Sequence, residues 1–242
     1  MKIKGVLSLI HNMHKTILVL LFLYVAAGQA AAQTERPWYI GLQGGTAFGQ
    51  GTFRSITEHR IHPGAQGGLF AGYRLSRLIS AEIGIRYGAQ SQYALDCCPY
   101  WMSRDEQRYM APVLDGQGWY YKDLRAATQW GKLSFQANLD ILSLFTPQGC
   151  RWALCLSPQI SAVTTSTLLV TPDSRIGHPR QWHLGWGGEA SLGFSISKSM
   201  GVSLCSSITC RTGERFDNIP VHGHKSNLLW DAGIKFNYRF GL

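Results

Sequence analysis

Along residues 230–240 the chain alternates without a break. Trp230, Ala232, Ile234, Phe236, Tyr238 and Phe240 form one set; Asp231, Gly233, Lys235, Asn237 and Arg239 form the other. A period of two belongs to an extended strand, whose successive side chains point to opposite faces. A soluble sandwich would bury the apolar set. Here the opposite set carries full charges of both signs at positions too regular for a loop. A closed barrel with lipid outside and a polar interior accounts for both faces at once.

The same alternation recurs over 69–76, 79–88, 133–141, 183–196 and 202–209, and more weakly over 38–48 and 152–163. Pro158 disturbs the last of these and predicts a bulge there. These segments give an all-β fold, an eight-stranded antiparallel up-and-down transmembrane β-barrel. The connections alternate in length. Tight joints are expected near Ser76 and Arg77, over 147–149 and over 198–200, and long ones over 50–63, 91–126, 164–182 and 212–227. Short turns on one rim and long loops on the other are the habit of outer-membrane barrels, with the short turns facing the periplasm. The longest loop is rich in aromatic residues and is expected to hold extra structure, such as extended strand ends.

The front end reads differently. Lys2, Lys4 and Lys15 accompany an almost unbroken apolar run over 17–27, and Ala30, Ala31 and Ala32 follow. This is the layout of a cleaved secretory signal, residues 1–32, with Gln33 as the mature start. Met13 would open an equally complete signal. No Cys lies near the cleavage point, which argues against a lipoprotein anchor. Residues 33–242 have the length of one domain. Charged residues are sparse at 15%, glycine is abundant at 27 residues, and the net charge of +9 includes the three leader lysines. No basic helix or nucleic-acid motif is present, so the excess charge is assigned to loops near anionic lipid headgroups.

The C-terminal stretch 231–238 (Asp-Ala-Gly-Ile-Lys-Phe-Asn-Tyr) and the segment 189–194 (Glu-Ala-Ser-Leu-Gly-Phe) before a Ser/Lys turn carry a family likeness. The chain resembles the small outer-membrane β-barrels, the OmpA/OmpX-like porin-family and PorT-like proteins. That resemblance implies an outer-membrane location in a Gram-negative envelope, contact with lipid and lipopolysaccharide, and delivery to the barrel-assembly machinery through the C-terminal strand. The terminal Phe-Gly-Leu departs mildly from the usual aromatic last residue. Activity is not implied, because such barrels host adhesins, enzymes and plain structural proteins.

Candidate chemistry falls in three places. The inward set contains Arg74, Glu82, Arg86, Asp140, Glu189, Asp231, Lys235 and Arg239. An eight-stranded barrel is only wide enough for side chains to fill it, so these predict a network of ion pairs. Six histidines, His59, His62, His178, His183, His222 and His224, fall in or beside three of the long loops. Were those loops to converge, imidazoles could capture a transition metal or haem. A lipid-modifying enzyme would need a Ser, a His and a carboxylate at the outer rim; Asp173, Ser174 and His178 are candidates, without a Gly-x-Ser-x-Gly elbow. The reading favoured is a non-enzymatic structural or surface-interaction protein, with no catalytic residue and no cofactor. The six cysteines (Cys97, Cys98, Cys150, Cys155, Cys205, Cys210) permit disulfides. Cys205 and Cys210 lie about 17 Å apart on one strand, too far to bond; Cys97 or Cys98, in the long loop, is the better candidate for an exposed thiol or a bond to Cys210.

Overall fold

The computed structural model describes residues 36–94, 100–112, 117–146, 150–212 and 227–241. The expected leader, Cys97, Cys98, the 147–149 turn, His222 and His224 lie outside these residues. Eight long strands form the wall: β1 (Trp38–Gln50), β2 (Gly64–Arg74), β3 (Ile79–Tyr93), β7 (Arg125–Asp140), β8 (Trp152–Val170), β10 (Gln181–Ser195), β11 (Met200–Arg211) and β12 (Asn227–Phe240). Each pairs antiparallel with its neighbour, β8 meets β10, and β12 returns to β1, so the sheet has no edge. Closure is what lets a sheet stand in lipid, since every backbone polar group finds a partner within the wall.

The register fixes the shape. A path of directly paired residues runs from Ile40 through Ala71, Ile83, Phe135, Ile160, Trp186, Cys210 and Leu228, and re-enters β1 at Gln50. From Ile40 to Gln50 is a stagger of ten residues around eight strands. At about 3.3 Å per residue and about 4.8 Å between strands, this sets a tilt of about 40°.

Parity along each strand decides what faces lipid. Leu42, Leu69, Ile85, Leu184, Leu204 and Phe236 are all exposed on the outer wall, whereas their neighbours Gln43, Arg86 and Lys235 are buried in the lumen. Aromatic pairs mark the two margins of this belt. Trp38 packs on Tyr73 and Trp152 on Phe194 at the end with the short turns; Phe48 stacks on Trp230 toward the other. Such girdles sit where hydrocarbon gives way to headgroups.

Three expectations need correction. Pro158 makes no bulge: the pairing with β10 runs in one register through Gly188 and Pro158, and the β7 ladder resumes in the same register beyond a short gap. Pro158 points outward, and its missing N–H costs the β7 ladder rather than the lumen. The β7–β8 joint is not tight; it spans 141–151 and contains a helical turn, Leu142–Phe145, in which Ser143 donates back to Asp140. The 164–182 loop is mostly strand, because β8 continues to Val170 and a short β9 (Arg175–Gly177) folds back on it. The long 91–126 connection does hold extra structure: β3 and β7 extend to Tyr93 and Arg125, and β4 (Trp101–Ser103), β5 (Arg108–Tyr109) and β6 (Gly118–Tyr120) form a small sheet in the order β5-β4-β6.

Cys205 and Cys210 both lie on β11 and face opposite sides, and the described cysteines are all free. Mass mapping of a non-reduced digest is expected to show no Cys205–Cys210 link; finding one would displace β11. On the lipid face, Phe236→Arg is expected to cost about 2–4 kcal/mol if placed near the bilayer midplane. Asn237→Gln, one residue on but inward, should cost much less. Urea unfolding in lipid vesicles reads the contrast, and equal effects at both positions would contradict the face assignment.

Candidate functional site

Two regions of the barrel carry polar or exposed side chains in a defined arrangement: the lumen, and the cap at the long-loop end. In the lumen, six charged residues form one unbranched chain of alternating sign. Lys132 Nζ lies 3.2 Å from Asp231, whose other oxygen takes Arg86 Nη1 at 2.8 Å. Arg86 also binds Glu189; Glu189 binds Lys235; Lys235 reaches Glu82 at 2.8 Å. The residues come from β3, β7, β10 and β12, so the chain ties together walls that share no backbone ladder. Three cations meet three carboxylates, and the network is neutral.

The remaining lone pairs are largely used. Asp231 accepts from Ser207 at 2.7 Å, and Glu82 accepts from Gln136, Tyr39 and Asn138. Lys132 also donates to Ser207 and Thr209. These bonds offset the desolvation of the buried charges, although Arg86 Nε and Gln136 Oε1 are left buried without a partner. Above the network Trp130 is buried across the lumen beside Ala47 and Leu229. Gly88 makes room for it: a Cβ there would sit 2.5 Å from the indole. The lumen at mid-height is therefore filled with side chains.

All eight inward residues read from the sequence face the lumen, and five of them (Glu82, Arg86, Glu189, Asp231 and Lys235) are brought together in the network. Arg74, Asp140 and Arg239 sit lower, at the short-turn mouth. Lys132 was missed. It stands one step before the alternation over 133–141, and its parity with Ser134 and Gln136 would have placed it inside.

At the other end, three separate loops share one apolar core. Phe53 from the β1–β2 loop, Met102 of β4, Tyr121 and Leu124 from the β6–β7 link and Leu169 of β8 are all fully buried, with Tyr100, Trp119 and Ile176 packed against them. Polar ties reinforce it. Trp119 Nε1 donates to Asp173 in the β8–β9 turn at 2.9 Å, and His178, just after β9, stands 3.8 Å from Glu106 between β4 and β5. The backbone of Arg54 pairs with Tyr93 in both directions. None of these cap residues shows a period in the sequence.

The histidines take separate partners. His62 lies against the Tyr93 ring, His178 beside Glu106, and His183 within 3.1 Å of the Thr212 carbonyl; His59 is exposed. Among the described residues no group of three or more His, Cys, Asp or Glu is spaced for a metal ion. Asp173, Ser174 and His178 also turn to different neighbours: Asp173 to Trp119, Ser174 to Thr171, His178 to Glu106.

A closed eight-stranded wall, an apolar outer belt with aromatic margins and a filled polar lumen define the class: a small integral outer-membrane β-barrel. Among solved structures the chain is similar to the Neisserial surface protein A, at 11% identity and a TM-score of 0.50, with 84% of this chain and 97% of that one covered. It also matches a major outer membrane protein of Thermus thermophilus (10% identity, TM-score 0.46, 83% and 99% covered). A third is Ail, the attachment invasion locus protein of Yersinia pestis (7% identity, TM-score 0.45, 86% and 100% covered). The likeness is one of fold. No protein-family profile and no curated protein sequence matches the chain.

Breaking the network tests its role. Asp231→Asn leaves Arg86 and Lys132 short of a carboxylate and is expected to cost about 3–5 kcal/mol. Adding Lys132→Met restores neutrality and should recover part of that loss. Unfolding titrations in detergent would show it; strictly additive effects would mean the pair is not coupled.

Proposed function

We propose that this protein is a non-enzymatic surface-interaction barrel, whose cap presents a pre-ordered contact surface to a protein or glycan outside the cell. One observation carries the reading: loops distant in sequence are packed into a common core above the membrane. A barrel needs no such core to stand in lipid, since short loops close it as well. Ordering a surface in advance reduces what binding must later spend on immobilising it. The cap also leaves large side chains in solvent, among them Met110, Ile61, Tyr109 and Tyr120. Arg104, Arg108, Lys122 and Arg175 add positive charge.

The mid-height lumen supports the same reading from the other direction, because the six charges of its network are paired with one another. Delivery to the membrane is assigned to β12, whose 231–238 segment carries the assembly signal while its two edges close the wall against β11 and β1. Lipopolysaccharide is the lipid expected against the upper belt.

The test is a binding screen of the protein in nanodiscs against arrays of matrix proteins and glycans. A variant with residues 100–124 replaced by a short Gly/Ser link serves as the comparison. Binding by the native barrel and not by the variant is the expected result. No binding by either, or equal binding by both, would overturn the role of the cap. In parallel, lipid A from cells overproducing the protein should keep an unchanged mass spectrum; a new acyl or phosphate change would reveal an enzyme instead.

A further inference from the structure

The short-turn end of the barrel carries an imbalance of charge that the central network does not relieve. Its described residues include Arg36, Arg74, Arg77, Arg151, Lys198 and Arg239, against the single carboxylate of Asp140. Arg36, Arg151 and Lys198 are exposed on the rim, as solvated cations usually are. Arg74, Arg77 and Arg239 are not: they are half-buried and together line a cavity of about 230 Å³ with Asp140, Ser143 and Ser195.

The carboxylate in that cavity is already committed. Asp140 accepts from the Ser143 hydroxyl at 2.6 Å and from the backbone N–H groups of Ser143 and Leu154, holding the helical turn to β8. Arg77 donates to the Thr146 carbonyl at 2.7 Å, and Arg239 to Ser195 at 3.2 Å. Among the described residues, neither Arg74 nor Arg239 has a carboxylate within ion-pair distance. Further in, a second cavity shares both arginines. Glu82 and Glu189 form the roof of that cavity, but they are neutralised by Lys235 and Arg86.

Like charges confined in a mouth of reduced dielectric repel. A bound oxyanion removes that repulsion, and guanidinium groups match its geometry with parallel hydrogen bonds. We propose that Arg74 and Arg239, with Arg77 beside them, form an oxyanion site at the periplasmic mouth of the lumen, taking a phosphate or a carboxylate from that compartment. The site is independent of the cap. It lies at the opposite end of the barrel, and the neutral network separates the two.

Calorimetric titration of the full barrel in a zwitterionic detergent, at constant chloride, tests it with sodium phosphate in one arm and sodium acetate in the other. A saturable isotherm is expected in at least one arm, and the tighter arm names the source. The R74Q/R239Q double variant should weaken it at least about tenfold, while K198Q, an exposed rim cation, should leave it unchanged. No saturable binding in either arm, or equal loss in K198Q, overturns the proposal. A melting comparison covers the case of a poorly folding double variant. R239Q should melt at or above the native protein without the anion, because a repulsion is gone, and below it when the anion saturates the native site. A difference that is the same with and without anion overturns the site.

Discussion

A wall of eight strands staggered by ten residues leaves a lumen that side chains span, and the rest of the molecule follows from that lack of space. A full charge buried at mid-height needs an opposite charge to answer it. The chain from Lys132 through Asp231, Arg86, Glu189 and Lys235 to Glu82 is the solution found here, and its neutrality is as important as its contacts. Backbone ladders join only adjacent strands. These ion pairs join strands across the lumen, giving a hollow wall the cross-bracing that an apolar core gives a soluble domain. Inward glycines are part of the same solution, since Gly88 yields the volume that Trp130 occupies.

The sequence was legible wherever the barrel meets lipid. There the outside must be apolar and the inside polar, so each strand announces both its existence and its facing. Above the membrane that code fades or reverses. In upper β7 the inward residues are Ala126, Thr128 and Trp130, while Arg125 and Gln129 face out. The alternation is therefore visible only from Leu133 onward, and Lys132 is lost with the strand's upper half. The same fading hides the end of β8 at Val170. Cap residues such as Phe53, Met102 and Tyr121 sit in bends, a three-residue strand and a single helical turn, all too short for a period to be detected. The four-residue helical turn after β7 is too short to have one.

The two ends of the barrel obey different rules as a result. At the loop end the chain builds a small soluble-type core, with apolar side chains turned inward and charges outward, on top of a wall organised the other way round. At the turn end the described residues form no such core, and half-buried arginines gather around a carboxylate that is occupied in shaping the turn. Mid-height, the neutral network and Trp130 keep the two environments apart.

The upper edges of β3 and β8 rise above their shorter neighbours and would present unpaired N–H and C=O groups to the cell exterior. Arg54 covers the one and β9 the other. Bare strand tops of this kind are templates on which a second chain can continue the sheet. In a crowded outer leaflet, where barrels drift and collide sideways, sealing them keeps neighbouring copies from knitting together into immobile rafts.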